Sequence, residues 1–466
     1  MPMARQTHCQ RLSPDRSLLP SLLILLFFTS RTLSFAPPRS IILSPRPAIL
    51  LRRAPGQIAV FDRTPPTRRL SRHFLSATMS SSDSPEAAAS RSKIRFATYN
   101  VLSPQLARGD YYCHTPEADL DPATRLKRVL KNMDREIREG TECNTPVLMC
   151  LQEVSQDWVG PFHIFFAERG YSLVTAPYGK TFNGYMGVAL AYPTRCVVAE
   201  DVRLLTLADG DGQEGCKWPW AGEIKPERPP RPSITRRIVR YAYESLRGMV
   251  NKVPLLGAPL PPDPKKDPWN VSRSRRNVLI FGKFRMLAGG DRFCLSTYHM
   301  PCVFWDPRVM NIHASHAVGT IQALSGDLPL VFAGDFNILP GSSTYELITT
   351  GRLPPDAEEG PPSVPPPYTS PDGAEVPWSS QVARGGMPSA CALAGDEPTL
   401  TNYAHTKNMD DPFVGTLDYV FCSKEHWGNV RVCTELPAST DESGGPFPND
   451  AEPSDHLLLS VEMDLV

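Results

Sequence analysis

Asp335 and Asn337 stand within Leu330–Pro340, Leu-Val-Phe-Ala-Gly-Asp-Phe-Asn-Ile-Leu-Pro, directly after a run of apolar residues. Delivered from the end of a buried strand, with Gly334 letting the chain turn, a carboxylate and an amide can hold a water, a metal or a phosphate. The same two residues also suit an ordinary turn, where Asp and Asn are favoured by local hydrogen bonding. The choice depends on what else reaches the same place. Other apolar stretches end in Asn100, Glu153, His299, Asp418 and the neighbours Asp455 and His456. Asp418 is the hardest to explain as structural. Leu417, Tyr419, Val420 and Phe421 surround it, and a carboxylate in apolar surroundings needs a partner.

These residue types suit metal-assisted hydrolysis of a phosphate ester. A phosphodiester is anionic and repels hydroxide, so a catalyst must neutralise charge, position a water and stabilise the leaving oxygen. Hard oxygen ligands such as Glu153, with no CxxC or HExxH set, favour Mg²⁺ over zinc, with Mn²⁺ as its substitute. An Asp-His couple can fix an imidazole's tautomer or keep it charged. All of this requires the strand ends to share one sheet rim, where α/β folds build sites.

The elements that must do this positioning are legible in order. Ile94–Thr98 has strand composition and leads into Asn100. Asp121 and Pro122 cap a helix in which Leu126, Val129, Leu130, Met133 and Ile137 recur at helical spacing. Val147–Leu151 reads as a buried strand leading to Glu153, then a helix over about 156–169 and strands at Tyr171–Ala176, Gly187–Tyr192 and Val197–Thr206. Asn277–Leu287 and Arg292–His299 form a hairpin across Gly289 and Gly290. A helix over about 308–324 leads into the Leu330 strand, and Thr344–Thr350 is a short helix. The last strands are expected at Thr416–Cys422, Val430–Glu435 and Leu457–Met463.

Two proline-rich tracts interrupt this pattern, at about 207–276 and 353–388. The first holds a helix-like island, Ile234–Val250, with Arg236, Arg237, Arg240 and Arg247. It reads first as a solvated surface insertion, and alternatively as an electropositive arm for RNA or another anionic surface. The second is expected to be mobile.

With 466 residues, 41% apolar and 21% charged, the chain can bury a large core. Lys plus Arg equal Asp plus Glu at 49 each, so net charge excludes a global pull to nucleic acid or membrane. The 11 cysteines, including Cys150, Cys294 and Cys422 in apolar runs, read as reduced core thiols. Residues 1–92 read as presequence and linker without fixed structure. A basic start precedes the apolar Leu18–Phe28, too short to span a bilayer, and then Phe35–Ser82 holds eight arginines against one acid, Asp62. This order is similar to a two-part plastid presequence. The alternatives are a secretory signal, a mitochondrial presequence, or initiation at Met79 in a cytosolic or nuclear protein. The folded part, residues 93–466, is expected to be a monomer with no membrane span.

The motif order Thr98-Tyr99-Asn100-Val101-Leu102, Leu151-Gln152-Glu153-Val154, Thr297-Tyr298-His299, Gly334-Asp335-Phe336-Asn337, Thr416-Leu417-Asp418-Tyr419 and Ser454-Asp455-His456 resembles the endonuclease/exonuclease/phosphatase superfamily. Within it the chain is most similar to the nocturnin- and angel-like deadenylase branch, on Leu339–Leu347, Trp305-Asp306-Pro307 and Thr401-Asn402-Tyr403. A longer stretch, Met300–Phe304, separates His299 from Trp305 than in that branch, and Ile338 replaces a small polar residue.

The resemblance implies a four-layer α/β sandwich, two packed mixed sheets flanked by helices. It implies Glu153 as the ligand of a catalytic Mg²⁺ with Asn100 close to it, and Asp335 orienting or deprotonating the attacking water. Asn337 and His299 would contact phosphate. His456, oriented by Asp418, would stabilise the pentacovalent intermediate, and Pro307 and Phe413 would sandwich a terminal adenine. The implied activity is that of a Mg²⁺-dependent phosphodiester hydrolase, a 3′ exoribonuclease of deadenylase-like preference. The alternatives are a phosphatase or phosphodiesterase on a small phosphorylated metabolite, nucleotide or lipid headgroup, and a non-catalytic RNA-binding scaffold.

Overall fold

The computed structural model describes residues 92–209, 267–353, 362–370, 373–380 and 382–466. The presequence-like N-terminus, Met79, the Ile234–Val250 island and parts of the second proline-rich tract lie outside the described residues. In chain order the first half contains β1 (Lys93–Asn100), α1 (Glu117–Leu120), α2 (Pro122–Glu142), β2 (Val147–Val154), α3 (Gln156–Glu168), β3 (Tyr171–Pro177), β4 (Gly187–Pro193) and β5 (Val197–Thr206). After the first insertion come α4 (Pro268–Ser274), β6 (Val278–Met286), β7 (Arg292–His299), α5 (Pro307–Ser325), β8 (Leu330–Asp335) and α6 (Ser343–Thr350). The remainder holds the short pair β9 (Tyr368–Thr369) and β10 (Glu375–Val376), then α7 (Ala390–Ala394), β11 (Asn402–Ala404) and β12 (Phe413–Gly415). It closes with β13 (Asp418–Cys422), β14 (Trp427–Val432), α8 (Thr440–Ser443) and β15 (Leu459–Leu465).

Two sheets carry the fold. One runs β14-β15-β1-β2-β4-β3 and the other β13-β8-β7-β6-β5. Both are mixed: β1 is parallel to β2 and antiparallel to β15, while β7 is parallel to β8 and antiparallel to β6. Alternation along each strand builds the layers. Ile94 and Phe96 of β1 meet Phe293, Leu295, Val331 and Val420 of the other sheet in the central core. The opposite faces, Ala97, Tyr99 and Leu151 on one sheet and Tyr298, Phe332 and Phe421 on the other, bury α2 with α3 and α5 with α6. Helix, sheet, sheet and helix therefore stack as four layers. Strands covered on both faces read as continuous apolar runs, as these do.

Several local expectations hold for visible reasons. Asp121 accepts a hydrogen bond from the Thr124 amide and Pro122 occupies the first turn of α2, which buries Val129, Met133 and Ile137. Gly289 and Gly290, both at φ 80°, make the turn between β6 and β7. The strand placed at Val430–Glu435 instead begins at Trp427, whose ring packs edge-on against Phe96. The described part of the second proline-rich tract is packed, a departure from the expected mobility. Val382 and Met387 are buried in the core beneath α5, and Tyr368 sits edge-on to Trp269 with ring centroids 5.2 Å apart. Those apolar anchors outweigh the tract's turn-rich composition. Among the described residues no helix is long and apolar enough to cross a membrane.

Candidate active site

The central core turns polar at one rim. Along β7 the inward series Phe293, Leu295 ends in Thr297 and His299, along β8 Val331 and Ala333 precede Asp335, and along β13 Asp418 precedes Val420 and Cys422. Register makes them neighbours, with His299 opposite Asp335 and Asp335 opposite Asp418. Across the sandwich, β1 runs Ile94, Phe96, Thr98, Asn100 on its inner face. β15 begins at the same rim, where Thr98 pairs with Leu459, so His456 lies just ahead of it.

Glu153 does not follow this alternation. Leu148 and Cys150 point into the central core while Met149 and Leu151 face the helices, so simple alternation would turn Glu153 towards the helices. The β2–β4 register shifts between Leu151 and Val154, and Glu153 adopts a left-handed φ of 59°. A bulge of this kind re-aims a side chain at a local cost in strain. Here it brings a Glu153 carboxylate oxygen to 3.4 Å from Asn100 Nδ2, while the other accepts from the Ser103 amide at 2.9 Å.

Asp335 is the hub. One of its oxygens accepts from Asn100 Nδ2 at 2.9 Å and lies 3.5 Å from His299 Nε2 and 3.7 Å from His456 Nε2. The other accepts from the Asn337 amide at 3.0 Å. Asn337, itself at φ 53°, donates through Nδ2 to the Met300 carbonyl at 3.0 Å and so holds the chain leaving His299. His456 Nδ1 lies 2.8 Å from Asp418, which also accepts from Thr401 Oγ1 at 2.7 Å. The Asp-His couple is thus Asp418–His456, because the adjacent Asp455 accepts from the Tyr112 hydroxyl at 2.7 Å instead. His299 Nδ1 lies 2.7 Å from the Tyr178 hydroxyl.

Burial works against a charged His456, but the Asp418 and Asp335 carboxylates outweigh it and hold the imidazole well above its ordinary range. Burial raises the Asp418 carboxyl, with the His456 imidazole and the Thr401 hydroxyl opposing the rise. Glu153 is raised by burial, with His299 opposing and Asp455 adding to the rise.

The donor set fits a hard divalent cation. Glu153 is an under-compensated carboxylate with one weak side-chain partner, and buried Oδ1 atoms of Asp418 and Asp455 have no hydrogen bond. Asp335, Asp418 and His456 also form a group whose ligand atoms lie within 4.8 Å of one another. Oxygen predominates in both places, as Mg²⁺ or Mn²⁺ prefers.

Six of the residues singled out in the sequence, Asn100, Glu153, His299, Asp335, Asp418 and His456, therefore meet at this rim, with Asn337 bracing it. Pro307 and Phe413 lie on separate elements, at the first turn of α5 and the start of β12, outside the hydrogen-bonded set. Sequence reasoning missed Tyr178 and Arg125. Arg125 is fully buried and donates to the carbonyls of Val101, Leu102 and Pro453, tying the segments after Asn100 and before His456 together. Its place one turn ahead of Val129 on the buried face of α2 was the available signal.

The chain is similar in sequence and fold to several known proteins. The chain is 27% identical over 180 residues to 2′,5′-phosphodiesterase 12 of Homo sapiens, 37% of this chain and 26% of that protein. It is 20% identical over 414 residues to the CCR4-Not complex 3′-5′-exoribonuclease subunit Ccr4 of Phaeosphaeria nodorum, 78% of this chain and 58% of that protein. It thus spans less than two thirds of either relative. Among solved structures, ANGEL2, titled a 2′,3′-cyclic phosphatase, superposes with a TM-score of 0.51 at 17% identity over 80% of this chain and 95% of that one, a likeness of fold. These are members of the deadenylase branch that the motifs resemble. The family model described as "Endonuclease/Exonuclease/phosphatase family" matches residues 97–456, from the strand that delivers Asn100 to His456, and the chain belongs to that family.

Proposed function

We propose that the chain is a divalent-cation-dependent phosphodiesterase that shortens RNA from its 3′ end, with a preference for adenylate. The observation that carries this reading is the buried rim where Asp335 lies between Asn100, His299 and His456. Glu153, with Asn100 beside it, would hold Mg²⁺, which supplies positive charge against the anionic phosphate. Asp335, held by Asn100 and the Asn337 amide, orients a water and accepts its proton. His456, kept protonated by Asp418, faces the charge that develops on phosphorus-bound oxygen. His299, fixed by Tyr178, and the remaining N–H of Asn337 contact the phosphate. One oxygen of Asp418 holds both His456 and Thr401, so we assign this carboxylate to orienting the imidazole. Pro307 and Phe413 are the candidate adenine clamp.

The Ccr4 exoribonuclease relative supports the 3′–5′ reading, and the 2′,5′-phosphodiesterase relative supports a second one, hydrolysis of a 2′,5′ linkage. Labelled oligo(A), oligo(U), oligo(C) and 2′,5′-linked oligoadenylate incubated with Mg²⁺ or EDTA separate the two. We expect 3′–5′ oligo(A) to shorten fastest and EDTA to stop it. Equal rates on all bases remove the clamp, faster 2′,5′ cleavage selects the second reading, and no cleavage leaves a non-catalytic scaffold.

Glu153→Gln tests the metal assignment independently of turnover. Activity should fall by about 10³-fold, taking the loss of a charge-stabilising group as the guide. Mg²⁺ should raise the thermal midpoint of the wild type but not of the variant. An equal Mg²⁺-dependent rise in both would take Glu153 out of the metal site.

A further inference from the structure

Arg275 follows α4 with its Nε buried and unpaired, and its guanidinium makes no hydrogen bond or ion pair among the described residues. The buried arginines among the described residues are matched: Arg95 has Glu136 and Arg125 has three carbonyls. Arg275 is half-buried, and its Nε, out of contact with solvent, is a donor that an anionic ligand could engage.

Its position ties it to the catalytic rim. Asn277, close behind Arg275 in sequence, donates to the His299 carbonyl at 2.8 Å. Cys302 stands at the lip beyond His299. Its residue surface is exposed, yet burial pushes the thiol up to about 11, Asp335 and Glu153 add to that, and Arg275 opposes it. Arg275 and the catalytic carboxylates thus act on one side chain with opposite sign.

A second observation lies on the same lip. Phe304 and Trp305 are 68% and 61% exposed and pack edge-to-face with centroids 5.4 Å apart. They sit on a turn closed by the Asp306 amide donating to the Val303 carbonyl at 2.9 Å. Arg308 grips the Asp306 carboxylate at 2.8 and 2.9 Å, so the turn is braced. Solvent-facing aromatic rings two and three residues beyond Cys302, with a cation acting on that same side chain, are the kind of elements that bind single-stranded nucleic acid without reading its sequence.

We propose that Arg275 and the Phe304–Trp305 pair form a second nucleotide subsite for single-stranded RNA, the guanidinium taking a backbone phosphate and an aromatic ring stacking on a base. This deepens the phosphodiesterase reading and rests on it for the direction in which RNA enters. The occupant is RNA rather than protein because the lip joins a phosphate-sized cation to a site built for phosphate esters. Phe304 closes the stretch Met300–Phe304, where the chain departs from its branch, and Trp305 follows it.

The test compares the wild-type chain with Arg275→Ala, Arg275→Lys, Phe304→Ala/Trp305→Ala and a control, Ile164→Ala, which removes an equally exposed apolar side chain from α3. Binding of a 5′-fluorescent hexa-adenylate is read by anisotropy in EDTA across a salt series. Turnover is read on the same oligonucleotide and on bis(p-nitrophenyl) phosphate, which has no second nucleotide. The aromatic double variant should bind about ten-fold more weakly or worse. Arg275→Ala should also flatten the log Kd against log salt slope by about 0.7, one single-strand phosphate, with Lys partly restoring it. KM on the oligonucleotide should rise in both, while kinetics on the small diester stay at wild-type values.

Unchanged binding and KM would overturn the subsite, as would equal losses on both substrates with a lowered melting midpoint. Dimer loss on sedimentation with RNA binding intact would make the pair a protein interface and also overturn it. If the wild type cleaves no diester, the enzymatic reading fails, and the anisotropy series still decides this proposal.

Discussion

The least replaceable single contact is the 2.8 Å pairing of His456 with Asp418. Asp418 is fully buried and flanked by the aromatic side chains of β13, so its charge persists only through the imidazolium and the Thr401 hydroxyl. In return the carboxylate, with Asp335, keeps His456 protonated against the effect of burial. Asp418→Asn keeps the shape and a hydrogen bond but removes that charge. The imidazole should then lose its proton at lower pH, so the alkaline limb of the pH–rate profile moves to lower pH and kcat falls by about 10²-fold or more. The raised pKa also adds stability that is fully present below the unfolded value of about 6.5 and lost as pH rises through the folded value. The variant should therefore lose more of its melting midpoint at pH 6 than at pH 9. An unmoved alkaline limb would mean that another group carries the proton.

At the scale of elements, the site depends on how closely β7 and β8 approach. The reading of Gly334 as a turn residue is corrected by the structure: it lies inside β8, opposite Tyr298, with a negative φ. Its requirement is space, since a β-carbon there would collide with the Tyr298 carbonyl. Gly334→Ala should cost about 1–3 kcal/mol, the usual range for overpacking. Because Asp335 and His299 are the next pair in register, kcat should fall along with the denaturation midpoint. A variant of full stability and activity would show that the strands can part without consequence. The bulge at Glu153 is the complementary case, in which a strand leaves its alternation so that a carboxylate reaches the rim. Nothing in Leu-Gln-Glu-Val announces that reversal, because strand period alone points the residue the other way.

At the scale of the molecule, the two sheets are joined through a polar bridge within the apolar core. Thr98 Oγ1 donates to Gln152 Oε1 at 3.2 Å, and Gln152 Nε2 donates to Thr297 Oγ1 at 3.2 Å. All three side chains are buried just inside the catalytic layer. Gln152→Ala would strand two buried hydroxyls and open a cavity. We expect a loss of about 2–4 kcal/mol in chemical denaturation, combining the desolvation and cavity costs, and a lower kcat as the rim loosens. Unchanged stability would place the sheets' alignment in the apolar contacts alone.

Much of this architecture follows from residue order. Apolar runs of strand length, the Asp121-Pro122 helix start, the double-glycine hairpin and the polar residue closing each strand are local signals, fixed by backbone geometry and side-chain chemistry within a few residues. They were enough to expect strand ends that converge on one polar rim, and the order of the motifs, through the family it resembles, added the two-sheet sandwich. Which carboxylate orients His456 was not local. Asp455 is adjacent in the chain, whereas Asp418 and His456 meet because β13 and β15 begin at the same rim of facing sheets. The same holds for the re-aimed Glu153, the arginine clamp at Arg125 and the unpaired Arg275. Each depends on long-range packing, which decides distance and desolvation together.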